Sequence, residues 1–285
     1  MQRKAILPIL AVFVAGQAGA ADLLGPLRGT SPDDGGGYVA APRVTGFVQG
    51  DYASLVHAPD SVDGHTWSLR GSVNINTGSP FNVQADAGYA RNEVSSVDSN
   101  AGLGALHGYY RNDEFAVGAF GQASRFSVSA LNIIGQGSAN DYIGGLEAAK
   151  YGDWATFYGQ LGYGRTSLYG FDADHYVGTL GARFYATDNL RLDVDGALHR
   201  FSYSDTDLDV DLRTLKLTAN YRPEQFPVTF YGGYRYDQGK LSVPGVSVKE
   251  NVGTLFAGLR VSFGTTSLKD EERHGATWNP VSLMP

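Results

Sequence analysis

The chain has 285 residues, 38 of them glycine, 17 tyrosine, 14 phenylalanine and none cysteine, with a formal net charge of -7. The acidic balance argues against nucleic acid as a partner, the missing cysteines exclude a disulfide framework, and nothing downstream of the N-terminus offers the roughly 18 uncharged apolar residues of a membrane helix. A mean hydropathy of -0.20 would suit an ordinary soluble protein, so whatever is unusual must lie in the pattern.

Residues 1–20 read as a secretory signal peptide. Arg3 and Lys4 form its basic start, Ala5 to Gly16 its apolar stretch, and Ala18-Gly19-Ala20 a small-residue cleavage site. The apolar stretch is too short to span a bilayer. Removing it takes two cations and no acid, so the formal charge moves from -7 to -9. Residues 21–43, with Pro26, Pro32, Asp33, Asp34 and Gly35 to Gly37, have no periodicity and read as a flexible periplasmic leader.

From residue 44 to 263 one unit recurs: about ten residues alternating apolar and polar, then a cluster of Gly, Asn, Asp, Ser or Pro. Strands are expected over 44–57, 65–76, 81–92, 101–112, 114–124, 140–151, 154–166, 174–187, 190–203, 209–222, 226–237 and 250–263, with boundaries good to a few residues. In the copy at 190–199, Leu190, Leu192, Val194, Gly196 and Leu198 share one face, and Arg191, Asp193, Asp195, Ala197 and His199 the other. The apolar faces are interrupted by Gly and Ala, as in Tyr176, Gly178, Leu180, Ala182 and Phe184, and such faces interdigitate poorly in a sandwich core. Lipid asks only for an uncharged surface with aromatic residues at its boundaries. The fold class expected is therefore all-β: a transmembrane antiparallel up-and-down β-barrel of about twelve strands, with ten or fourteen also compatible.

The leader carries Ala21-Asp22-Leu23-Leu24 and Leu27-Arg28-Gly29, then a Pro-containing spacer and an aromatic-Gly strand. On these residues the chain resembles the alphaproteobacterial porin-like outer-membrane β-barrel proteins. The resemblance implies residence in the outer membrane of a Gram-negative bacterium and brings no catalytic residues.

Every second connection is tight, at Thr77 to Pro80, Asn112-Asp113, Gly152-Asp153, Thr187 to Asn189 and Arg222 to Gln225, and these belong on the periplasmic rim. The others tend to be longer, at Ala58 to Gly64, Glu93 to Asn100, Arg125 to Ala139, Ser167 to Ala173, Ser204 to Leu208 and Gln238 to Lys249, and belong outside. With Ala186 facing Leu190 across its turn, antiparallel pairing sets Arg183 opposite Asp193. With Ile75 facing Phe81, it sets Arg70 opposite Asp86. Such opposed charges contribute roughly 0.2 to 1 kcal/mol each. Glu147, Asp195, Lys216, Arg235 and Arg260 join these four as expected lumen-lining residues, and both signs occur.

The segment 125–139 is the longest connection and carries Phe126, Leu131, Ile133 and Ile134, which suits either a constriction loop folded into the lumen mouth or an extension of the fifth strand. Phe263 ends the last strand and resembles the terminal aromatic read by the outer-membrane assembly machinery, but residues 264–285 follow it as a charged, Pro-containing tail that lies in the periplasm or folds up as a plug. A search for chemistry finds no G-x-S-x-G elbow, and neither a catalytic set nor a metal or cofactor site is expected. Asp172, Asp174 and His175 form a weak cluster at an outer strand end. The expected partners are outer-membrane lipid and lipopolysaccharide, the assembly machinery and small solutes. The expected function is passive, porin-like diffusion of small hydrophilic solutes or ions, against a closed structural or interaction barrel and, more remotely, an outer-membrane lipid hydrolase.

Overall fold

The computed structural model describes residues 43–58, 63–94, 97–129, 136–168, 171–203, 208–243 and 245–281. The expected signal peptide and the leader motif lie outside them. Alternation along the chain produces twelve strands: β1 (Arg43–His57), β2 (Gly64–Asn76), β3 (Phe81–Val94), β4 (Val97–Arg111), β5 (Phe115–Ser129), β6 (Gln136–Tyr151), β7 (Ala155–Leu168), β8 (Phe171–Thr187), β9 (Leu190–Tyr203), β10 (Leu208–Tyr221), β11 (Val228–Val243) and β12 (Val246–Phe263). Each pairs antiparallel with its sequence neighbours, and β1 pairs with β12 to close the barrel.

The barrel is inside out relative to a soluble protein. Leu146, Leu161 and Leu180 are 69%, 72% and 75% exposed on the outer wall, whereas Asn74, Gln84, Thr156 and Thr229 are fully buried inside. Exposed aliphatics of this kind match hydrocarbon, and the transmembrane barrel is the architecture that lets strands meet it without unpaired backbone groups. Two aromatic girdles bound the apolar band. One runs near the tight turns, where Phe81, Tyr110 and Phe115 touch in series and Trp154 and Phe157 pack on Phe184. The other holds Trp67 against Tyr89 and Tyr163 against Tyr176. From Phe184 to Tyr176 the chain advances eight residues, about 27 Å along the strand and about 20 Å along the axis at a tilt of about 40°.

The tight connections fall on one rim together with both ends of the barrel. On the opposite rim the connections are shorter than the sequence suggests, because the strands run on into them. β3 ends at Val94 and β4 begins at Val97, and β11 ends at Val243 with β12 starting at Val246. Asymmetry between the two rims thus lies in strand length above the second girdle. Phe126 belongs to this extension: it lies within β5 and packs against Ala90, Val94, Val97 and Ala101. Of the two fates expected for this segment, Phe126 takes the extension of the fifth strand rather than a constriction loop, and Leu131, Ile133 and Ile134 lie outside the described residues.

At the seam Gly46 of β1 pairs with Phe263 of β12. A Cβ on Gly46 would sit 2.5 Å from the Phe263 ring, so only glycine lets the aromatic lie across the joint. Gly264 then adopts φ +74, a left-handed conformation that turns the chain inward off the rim. It leads into α1 (Leu268–His274), where Ser267 caps the N-terminus by accepting from the Asp270 N–H at 3.0 Å.

Placing a charge on the outer wall tests the facing. Leu180→Arg should destabilise the barrel by about 2–4 kcal/mol in phospholipid vesicles, read from reversible denaturant unfolding, with Leu180→Ala as the uncharged control.

Candidate functional site: a lumen filled by the tail

Past Phe263 the chain enters its own barrel. α1 spans the turn rim, tied there by Arg273, which donates to the Asp113 and Gly152 carbonyls at 3.1 and 2.7 Å, and by the Lys269 N–H, which donates to the Asp188 carbonyl at 3.1 Å. Residues 275–281 continue up the lumen without regular structure, so their backbone groups need partners from the wall. The wall supplies them from polar side chains. Arg111 donates to the Gly275 carbonyl at 2.9 and 3.0 Å, and Arg183 to that of Thr277 at 3.0 Å. Gln84 and Arg70 donate to the Trp278 carbonyl at 2.8 and 3.0 Å, Gln160 to that of Asn279 at 3.1 Å, and Gln122 to that of Val281 at 3.0 Å. In return the Thr277 N–H donates to the Gln84 amide oxygen at 3.0 Å.

Two of the apolar sockets in this inner wall are occupied by the tail. Trp278 sits among Tyr109, Ala116, Ala149, Tyr151 and Tyr158, edge-on to Tyr109 at 5.8 Å. Val281 sits among Phe120, Ile143 and Val177. Apolar side chains on a lumen wall would otherwise face water, so their clustering opposite the tail marks a complementary fit.

Two adjacent carboxylates of α1 anchor the plug electrostatically. Glu271 accepts from Arg222, from Arg260 at 2.8 Å and from the Ser262 hydroxyl at 2.5 Å. Glu272 accepts from Arg183 and from the Thr277 hydroxyl at 2.9 Å, with Arg191 4.0 Å away. Burial raises the pKa of the Glu271 carboxyl, but the Arg260 and Arg222 guanidiniums and the Ser262 hydroxyl outweigh it and hold the group at about 2.

All nine residues expected in the lumen point inward, but their partners differ from the sequence pairing. Arg183 does lie opposite Asp193 in the ladder. The ion pair between them is replaced: Asp193 is gripped by Arg191 of its own strand at 2.7 and 2.8 Å, and Arg183 turns to Glu272. A bulge at Tyr185 to Thr187 leaves Thr187, not Ala186, opposite Leu190. Arg70 faces Gly88 rather than Asp86, because the β2–β3 turn closes at Asn76 and Asn82 and shifts the register by two. Its long side chain still reaches Asp86 diagonally at 2.9 Å. Glu147 holds His107 at 2.9 Å and Gln160 at 3.1 Å, beneath the tail.

Asp195, Lys216 and Arg235, with Asp51, Asp237 and His199, line what the tail leaves open. This is a cavity of ≈ 250 Å³ between the plug and the wall, lined chiefly by β7 to β12 and β1. It falls below the roughly 300–1,000 Å³ of small-molecule sites. Lys216 rests 4.8 Å over the Phe256 ring, Tyr231 donates to Asp51 at 2.6 Å, and Arg235 binds Asp237 at 2.6 Å. Arg260 also lies 4.3 Å over the Phe47 ring. The weak Asp172, Asp174 and His175 cluster is split by strand alternation. Asp174 lies on the outer wall 3.8 Å from Arg165, while His175 is buried inside between Asp141 at 2.9 Å and His199 at 3.1 Å.

Sequence reasoning missed Arg111, Arg191, Arg222, Gln122, Tyr109, Tyr158 and the receiving role of Glu271 and Glu272. Alternation already puts Arg191 on the polar face; the remaining signal was a pair of adjacent acids in a tail that also carries a tryptophan.

Among solved structures, the β-domain of the Bordetella autotransporter BrkA aligns with a TM-score of 0.50 at 13% identity, over 78% of this chain and 100% of its own. Outer-membrane OmpT of Vibrio cholerae aligns at 0.48 and 11% identity, over 78% and 97%. The KdgM porin aligns at 0.43 and 16% identity, over 75% and 99%. No family model matches the chain, and no curated protein matches it in sequence. The BrkA likeness bears on the fold alone: a closed antiparallel barrel.

Two outcomes follow for the plug. Trp278→Ala should cost about 3–5 kcal/mol of tail docking, seen as faster amide exchange across 268–281 while the strands stay protected. Because the Glu271 pKa is depressed when docked, its contribution is complete above the ordinary value of 4.5 and is lost as pH falls from there toward about 2. Proteolytic release of the tail should therefore rise over that window in the wild type and rise less in Glu271→Gln, where Asp270 beside Arg43 is left to titrate.

Proposed function

We infer that this protein is an outer-membrane channel for small hydrophilic solutes, held closed at rest by its own C-terminal segment. The observation that carries the reading is the pairing of a polar, charged lumen with a plug seated through specific contacts. Polar and charged side chains from most strands line the passage where the tail lies, and the tail occupies it as a separable element joined through Gly264. Removing the plug would leave a twelve-stranded barrel of intermediate bore, between small side-chain-filled barrels and open sixteen-stranded porins. Short turns and both barrel ends then lie in the periplasm, and the extended strands outside. Export by the N-terminal signal, insertion by the assembly machinery and residence in a Gram-negative outer membrane belong to the same reading. The alphaproteobacterial affinity rests on the leader motif at residues 21–29. Catalysis and cofactors have no part in it.

A second reading, a permanently closed structural or interaction barrel, is favoured by the buried arginine–glutamate pairs and the two filled sockets. The two readings diverge when the tail is removed. A chain ending at Thr265 should conduct in planar bilayers with steady single-channel steps, whereas the full-length protein should be closed or open only briefly. If the shortened protein folds, as judged by heat-modifiable gel mobility, yet stays silent, the channel reading fails and the structural one stands.

A further inference from the structure

We propose that the outer wall of β10, β11 and β12 carries a binding site for the phosphate groups of an outer-leaflet glycolipid, formed by Arg213, Lys240 and Lys249. The ladder places these residues at the top of an ordered gradient. Leu217, Tyr234 and Leu255 share one outward rung, and Leu215, Tyr236 and Gly253 the next. Arg213, Gln238 and Asn251 follow, and then Asp211, Lys240 and Lys249. Apolar wall thus gives way to the aromatic level and then to cations within four rungs. Each rung adds about 7 Å along the strand and about 5 Å along the barrel axis. Arg213 stands about 5 Å and the lysines about 10 Å beyond Tyr236, which spans the polar headgroup layer above the hydrocarbon.

Charge on this patch is only partly compensated, with Asp211 opposite Lys240 in the ladder against three cations. Asp211, Arg213, Gln238, Lys240 and Lys249 surround a concavity of ≈ 110 Å³. The one carboxylate there leans 4.0 Å toward Arg200, which Asp209 also holds at 2.6 Å. Among the described residues Arg213, Lys240 and Lys249 have no ion pair. Elsewhere at this height Arg91 is held by Glu93 at 3.2 Å and Asp98 at 3.3 Å, and Arg165 by Asp174 at 3.8 Å. Arg125 has no ion pair among them either, but its ladder neighbours Gly102 and Asn140 bring no second cation. Lys240 and Lys249, by contrast, sit directly opposite each other, an arrangement that destabilises a sheet unless an anion lies between them. An anionic phosphate at the hydrocarbon edge is the ligand such a site fits, since its acyl chains would run down the apolar wall below.

The source is a phosphorylated glycolipid rather than a glycerophospholipid, because the patch lies on the rim away from the tight turns and both barrel ends, the side that faces outward. The proposal rests on that orientation and not on channel activity. Binding of purified lipopolysaccharide to the full-length protein in detergent micelles tests it. Wild type should bind, and the triple variant Arg213→Ala, Lys240→Ala, Lys249→Ala should bind about tenfold or more weakly. Dephosphorylated lipopolysaccharide should lower wild-type affinity to that of the variant. The double variant Arg91→Ala, Arg165→Ala, with heat-modifiable mobility as the folding check, should match wild type. Equal binding by wild type and the folded triple variant overturns the site, and equal or tighter binding of phosphatidylglycerol by wild type overturns the assignment to a glycolipid.

Discussion

In hydrocarbon an unpaired peptide group is prohibitively costly, and this requirement organises everything else in the molecule. A sheet meets it only by closing on itself, so β1 must find β12, and the whole wall then inherits a fixed inside and outside. Alternation does the rest. Residues that suit lipid line one surface, and residues that suit water are forced together on the other, where hydrogen-bonding side chains from every strand converge on a narrow axis. Arg70, Gln84, Arg111, Gln122, Gln160 and Arg183 can serve seven residues of irregular backbone because closure brings six strands to the same place.

The barrel was legible from sequence because its signal is periodic and repeated along the chain. Strand positions, their number, the tight turns and the inward charges all follow from a period of two. What escaped is what does not repeat. The β2–β3 register slipped by two residues because a turn's length depends on its own hydrogen bonds, here Asn76 capping Gly78 at 2.8 Å and Thr77 reaching Phe81 at 2.9 Å. The outer connections were misjudged for a related reason: above the second girdle, alternation weakens once both faces meet water, though pairing persists. The plug could be named only as one of two fates for the tail. Its contacts join residues some 200 positions apart in sequence, as from Arg70 to Trp278, and no local pattern encodes them.

Buried ion pairs seldom add much net stability, since the cost of removing both charges from water offsets their attraction. In this lumen they supply register instead. Glu271 fits only where Arg222, Arg260 and Ser262 converge, and Glu272 only beside Arg183, so α1 docks in one orientation. Trp278 and Val281 then contribute apolar burial, the larger favourable term. The division of labour leaves a plug whose position is set by charge and whose retention depends on two side chains.

Glu271 and Glu272 draw their partners from β8, from β12 and from the turn just past β10, and Trp278 draws its socket from β4 to β7. These strands are spread around the wall from β4 to β12, and closure of the sheet brings them to one axis. Tail docking is thereby a readout of completed circular assembly: a sheet still open between its first and last strands would leave two bare carboxylates and an indole swinging at the rim. Finished and unfinished barrels consequently show different chemical faces to the compartment on that side, and the distinction is written into the same segment that shuts the passage.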